Sequence, residues 1–148
     1  LVEYPYINII FETDKDDKLK GTLNDIGGKY DPDFDKSIIE TVHREAREEM
    51  GIILLADGSE PYVDITCNGL TYRCYLIDST QNRKYISTAI VPENPVVKMK
   101  IDHFLSIKEE MLESRLKAIL SATLHYTNKP AHQCKNIIEY LKRLNTNI

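Results

Sequence analysis

DIGGKYDPDFDKSIIETVHREAREEMGI, Asp25 to Ile52, sets the terms for the rest of the chain. Its second half carries Ile38, Ile39, Val42, Ala46 and Met50 at three- and four-residue steps, the spacing of one apolar stripe on a helix. Ser37 followed by Glu40 has the spacing of a capping box, and Gly51 stands where helices commonly end in a left-handed residue. A helix over residues 37–50 is therefore predicted. At about 100° per residue, Glu48 lies about 60° to one side of Glu45 and Glu49 about 40° to the other. Three carboxylates then converge within a narrow arc, where each like-charged pair costs roughly a few tenths of a kcal/mol on an isolated helix. A hard divalent cation such as Mg²⁺ or Mn²⁺, which prefers carboxylate and water oxygens, would relieve that repulsion. The plain alternative is a solvated helix face balanced by Arg44 and Arg47.

Upstream, YINIIFE has the β-branched and aromatic content of a strand, DKDDK reads as a polar turn, and LKGTLNDI carries the chain to Gly27 and Gly28. Downstream, GIILLAD, YVDITC and LTYRCYLID read as strands around a turn at DGSEP, and KYISTAIV as a further strand closed by Pro92 and Pro95. A shorter apolar segment, KIDHFLSI, precedes a predicted helix near residues 108–124. After Pro130 a last helix is predicted over about 131–144. With no internal repeat, low-complexity tract or linker, residues 1–148 are expected to form a single mixed α+β domain.

The chain is 42% apolar and 28% charged, enough to bury a core. No apolar run approaches the length of a membrane span, and the opening LVEYPYINII lacks the basic region and cleavage site of a signal peptide, so a soluble, intracellular (cytoplasmic) protein with no membrane partner is expected. The first residue is Leu rather than Met, as in a chain trimmed from a longer product. Cys67, Cys74 and Cys134 are an odd set without a CxxC, which argues against a disulfide framework or a structural zinc. A net charge of −4 provides no general basic field for a polyphosphate, so any phosphate chemistry needs a local source of positive charge.

REAREEMGI, Arg44 to Ile52, resembles the core of the Nudix box, Arg-Glu-apolar-any-Glu-Glu-any-Gly-apolar, at every specified position, and GGK at Gly27 to Lys29 is similar to its glycine-rich loop. The segment between Gly28 and Arg44 is two residues longer than the usual box. Lys36 occupies the position of the first box glutamate, with Asp35 the closest acid. The resemblance implies an α/β/α sandwich with a central mixed β-sheet, the box helix on one side and the C-terminal helices on the other. It also implies metal-assisted hydrolysis of a diphosphate linkage in a nucleoside diphosphate derivative, with Mg²⁺ or Mn²⁺ as cofactor. By the same resemblance Glu48 and Glu49 hold the ions, with Glu49 closest to the attacking water. Glu45 contacts metal or accepts a hydrogen bond near it, Arg44 orients Glu45, and the Gly28 carbonyl reaches the metal. Ala46 and Ile52 anchor the helix in the core. A further acid from outside the box is expected among Glu93, Asp102, Glu109 and Glu110.

The implied partner is a nucleotide-type small molecule, and a homodimer fits the family. Two alternatives stay open on the same fold: removal of the 5′ cap from messenger RNA, and a catalytically silent nucleotide or RNA binding module. Tyr72, Tyr75 and Tyr85 are candidates to stack a base, although tyrosines on alternating strands more often pack a core edge. His103 and His125 are read first as structural or surface groups. Lys135, Lys142 and Arg143 lie near the apolar stripe of the last helix as a solvated basic face, with an RNA contact as the sharper reading.

Overall fold

The computed structural model describes residues 1–12, 21–26, 33, 35–92, 94–128 and 130–146. Among them the fold is mixed α+β, built on antiparallel strands and four helices. Strand β2 (Tyr6–Glu12) is the hub of the largest sheet. β8 (Val96–Lys100) pairs with it from Tyr6 to Ile10, while β1 (Val2–Glu3) and β3 (Thr22–Asn24) divide the opposite edge between them. β4 (Ile52–Leu54) pairs with β7 (Tyr85–Ser87) in a second ladder. β5 (Tyr62–Cys67) and β6 (Leu70–Tyr75) form a hairpin that closes on Asn68 and Gly69, at φ 52° and 77°. Both turn residues therefore adopt the positive φ that a two-residue hairpin matched to strand twist requires.

The resemblance implied one mixed sheet, whereas the described residues form three antiparallel sheets, one of four strands and two of two, with parallel contact only at the isolated bridges Val2 to Asp78 and Leu23 to Leu112. The edge of β2 that a continuous sheet would extend is already taken by β1 and β3, and the Asn8 N–H is used by the Leu1 carbonyl at 2.8 Å.

Helix α1 (Ile38–Met50) forms where its sequence signals place it. The Ser37 hydroxyl accepts the Glu40 N–H at 3.3 Å, and the Glu40 carboxylate accepts the N–H of Lys36 at 2.6 Å, one residue before its usual capping-box partner. At the other end Gly51, at φ 66°, sends its N–H to the carbonyls of Ala46 and Arg47. Ala46 is buried against Ile52, Leu54, Ala56 and Ile77 in a small core beneath the helix. Ile38 departs from the predicted stripe: it is 45% exposed at the first helical position.

The larger core lies between β1, β2, β5 and the remaining helices, with Val63, Ile101, Ile119 and Leu141 almost fully buried. Each such side chain contributes about 1.5–3 kcal/mol by leaving water. Here the sequence expectations need correction. β8 was unassigned, and KIDHFLSI supplies a short helix, α2 (Ile101–Leu105). The expected helix over 108–124 is a 3-10 turn (Glu109–Met111) followed by α3 (Ser114–Ser121). The Glu113 N–H goes to the Leu23 carbonyl at 2.9 Å, and this tertiary bond holds the chain extended where a helix would otherwise run on. α4 (Ile137–Thr146) starts later than predicted, because the Asn136 side chain accepts the Glu139 N–H at 2.8 Å and caps it there. β7 ends at Ser87, and the N–H and hydroxyl of Thr88 both go to the Gly51 carbonyl, at 2.9 and 2.7 Å. No helix among the described residues is long and apolar enough to cross a membrane.

Candidate active site

The acidic face of α1 is organised by one arginine. Arg44 donates through Nε and Nη2 to the two carboxylate oxygens of Asp35, both at 2.9 Å, in a fork-to-fork pair. Its Nη1 reaches Glu45 at 2.9 Å and Glu48 at 3.5 Å. Asp35 is 3% exposed, and it also accepts the Thr41 hydroxyl at 3.1 Å. The hydrogen bond to Asp35 is the largest cause that raises the pKa of Arg44, with Glu45 and Glu48 adding to it against the opposing effect of burial. The clamp therefore joins a residue two positions before the helix cap to the helix's second turn. Lys36 is exposed, and its neighbour Asp35 makes the contact to Arg44.

Each acid of the triplet has its own environment. Glu45 is buried beside Arg44, Glu49 is half-buried, and the side chain of Glu48 is 47% exposed. Among the described residues no three acidic, histidine or cysteine side chains are gathered as a ready metal cage. The chemistry of the donor set nevertheless fits a hard ion. Mg²⁺ is commonly held by one or two carboxylates, with waters and substrate phosphate oxygens completing the shell. Glu48 and Glu49 can provide those two carboxylates, while Glu45 is kept in place by Arg44.

Gly28 and Glu93 lie outside the described residues. Asp102 is exposed at the start of α2, where it accepts the His103 N–H at 2.7 Å, and α2 packs on β2, β8 and α4 in the larger core. Glu109 and Glu110 are exposed on the 3-10 turn. Two other acids, Asp25 and Asp64, line the same cavity as Glu45.

That cavity, of about 590 Å³, is lined by Ile38, Thr41 and Glu45 on α1, by Arg115 and Ile119 on α3, and by residues of β6, which among the described residues pairs only with β5. Its size is typical of small-molecule sites. At the α3 end Arg115 Nε donates to Asp25 at 2.7 Å, and the guanidinium lies 5.3 Å from the Tyr72 ring. Burial pulls the Arg115 pKa down, but the charge of Asp25 and its hydrogen bond more than offset this and leave it raised. Sequence spacing carried no signal for this pair, which is joined across 90 positions.

Several of the other aromatic and basic candidates have structural partners. Tyr75 packs against the small core, and Tyr85 also does so while donating its hydroxyl to Glu3 at 2.7 Å. His125 exchanges backbone hydrogen bonds with Tyr62, and His103 is exposed in α2. On α4, Arg143 pairs with Glu139 at 2.7 Å, while Lys135 and Lys142 are exposed.

No family model matches the chain, and no curated protein matches it. The fold is similar to the solution structure of the E. coli ORF135 protein, at 19% identity and a TM-score of 0.54, over 79% of this chain and 81% of that one. At that identity the likeness speaks for the fold alone.

Proposed function

We propose that this protein is a divalent-metal-dependent hydrolase of a diphosphate linkage in a nucleoside diphosphate derivative, and that its architecture is a variant of the Nudix sandwich. The observation that carries the reading is the Asp35–Arg44–Glu45 clamp. Arg44 is held by Asp35 on one side and by Glu45 and Glu48 on the other, so that the buried Glu45 carboxylate is fixed near the more accessible Glu48 on the same helix. Residues that merely decorated a solvated face would have no reason to bury Asp35 to this extent.

Glu48 and Glu49 would hold the ion, which supplies water activation and neutralises the charge of the diphosphate. Glu49 would take the proton from the attacking water as its oxygen bonds to one phosphorus and the bridging oxygen leaves with the other phosphate. Arg44 orients Glu45 and limits the repulsion among the carboxylates it contacts. The cavity beside Glu45 offers room for the group beyond the diphosphate.

The test is product analysis across nucleoside triphosphates, ADP-ribose, dinucleoside polyphosphates and capped RNA with Mg²⁺ or Mn²⁺. Metal-dependent cleavage of one class, lost in Glu49→Gln, is the expected result. Cleavage that survives Glu49→Gln, or no cleavage of any class, would refute the assignment.

A further inference from the structure

The end of the cavity away from the box helix carries a second polar device. Arg115 uses only Nε for Asp25, and Asp25 Oδ1 is the oxygen that accepts it. Among the described residues, the two Nη groups of Arg115 and Oδ2 of Asp25 have no hydrogen-bond partner. No buried side-chain nitrogen or oxygen there lacks one either, so these atoms are open to solvent. Both residues line the cavity, whose walls beside them are apolar, with Ile9, Leu116 and Ile119 among them. Tyr72 supports the guanidinium from one side. An apolar slot that ends in donors next to an acceptor matches a flat heterocycle whose edge sets an acceptor beside a donor. A phosphate does not fit, since Asp25 repels it at the point where Arg115 would attract it.

From this arrangement we infer that Asp25 and Arg115 are specificity-determining residues that read the hydrogen-bonding edge of a nucleobase held in the cavity. The inference deepens the hydrolase reading and rests on it for the direction in which a nucleotide lies, base toward α3 and phosphates toward α1. The guanidinium donates to a ring carbonyl or ring nitrogen, and the carboxylate accepts from an amino or imino N–H. The four bases order these groups differently along the edge, so the pair ranks them.

The test is calorimetric binding of AMP, GMP, CMP and UMP to the full chain in EDTA, for wild type, Asp25→Asn and Arg115→Lys. Wild type is expected to favour one base by about tenfold or more over the weakest. Asp25→Asn puts an amide N–H₂ where an acceptor stood, and it is expected to change the ranking; Arg115→Lys is expected to flatten it. Should either variant lose its circular dichroism spectrum, wild-type amide shifts in NMR decide instead. Shifts centred on Asp25, Tyr72 and Leu116 support the inference, and shifts elsewhere overturn it. A ranking untouched in folded variants, or no monophosphate bound at millimolar concentration, also overturns it. Base-selective binding in a protein that cleaves none of the tested substrates would sink the hydrolase reading alone. Metal-dependent cleavage with no base selectivity would sink this inference alone.

Discussion

Asp35→Asn is the substitution that probes the clamp most sharply. It keeps the volume of the side chain and one acceptor oxygen, but it places an amide N–H₂ against a guanidinium that has only donors to offer. In the structure Asp35 accepts two hydrogen bonds from Arg44 and one from Thr41, at 2.9, 2.9 and 3.1 Å, and is 3% exposed. One charge-assisted bond is lost outright, and the buried ionic contact becomes a charge against a dipole. Removing one partner of a buried pair costs about 3–5 kcal/mol. The Arg44 side chain is 31% exposed and keeps Glu45 and Glu48, so water and the remaining carboxylates recover part of that. A loss of about 3 kcal/mol is expected, equivalent to a fall of about 6–12 °C in Tm for a chain of this size. Urea denaturation of wild type, Asp35→Asn, Arg44→Met and the double variant gives the coupling directly, with Asp102→Asn as an exposed control. The two single changes are expected to be strongly non-additive, by more than about 1 kcal/mol. Additivity within about 0.5 kcal/mol would mean that the clamp does not operate in solution.

Other consequences can be checked independently. Gly51→Ala forces a side chain into φ 66° and sets a Cβ 2.4 Å from the Ile90 carbonyl oxygen, so thermal melts should show a loss of about 2 kcal/mol or more, with the β4–β7 ladder loosening first in hydrogen exchange. Burial pushes the Cys74 thiol up to about 12; the neutral thiol persists as pH rises to that value, so alkylation by iodoacetamide at Cys74 should stay slow at pH 9. Rapid modification of Cys74 by mass spectrometry at pH 8 would contradict this. The Arg73 hydrogen bond holds the Asp64 carboxyl below its usual pKa of 3.8. Its stabilisation is therefore present above that value and is lost as pH falls through the lower, folded-state pKa. The pair is solvent-exposed, so Asp64→Asn should cost no more than about 1 kcal/mol at pH 7 and less at acid pH, in melts at falling pH.

What could be read from the sequence was what depends on neighbours along the chain. Ser37, Glu40 and Gly51 mark α1 by local hydrogen bonding and local φ, and the helix begins and ends beside them. That Glu45, Glu48 and Glu49 share one helix follows from the same local signals, although among the described residues no three such side chains are gathered as a metal cage. What escaped depends on contacts between distant segments. Glu113 is drawn into extended pairing by Leu23, which no propensity around residue 113 encodes. β8 interleaves Lys98 and Lys100 with Val97 and Met99, and it becomes a strand through its ladder to β2. Asn68-Gly69 was a legible hairpin turn that the strand alternation alone did not use. In the site, Asp35 sits one position from where the box pattern places a glutamate, and only the fold shows that it meets Arg44. Asp25 and Arg115 meet through the packing of α3 against β3, so their spacing along the chain carries no sign of the contact.

The central claim is that the carboxylate face of α1 binds a divalent ion for hydrolysis, and the most direct measurement is an electron paramagnetic resonance titration of Mn²⁺. Wild type should be compared with the Glu48→Gln, Glu49→Gln double variant, each with and without a bound nucleoside diphosphate. The account predicts a site in wild type that tightens with the nucleotide and weakens at least about tenfold in the variant, with the fold intact. Equal Mn²⁺ binding by both proteins, or none by wild type in the presence of the nucleotide, would contradict it.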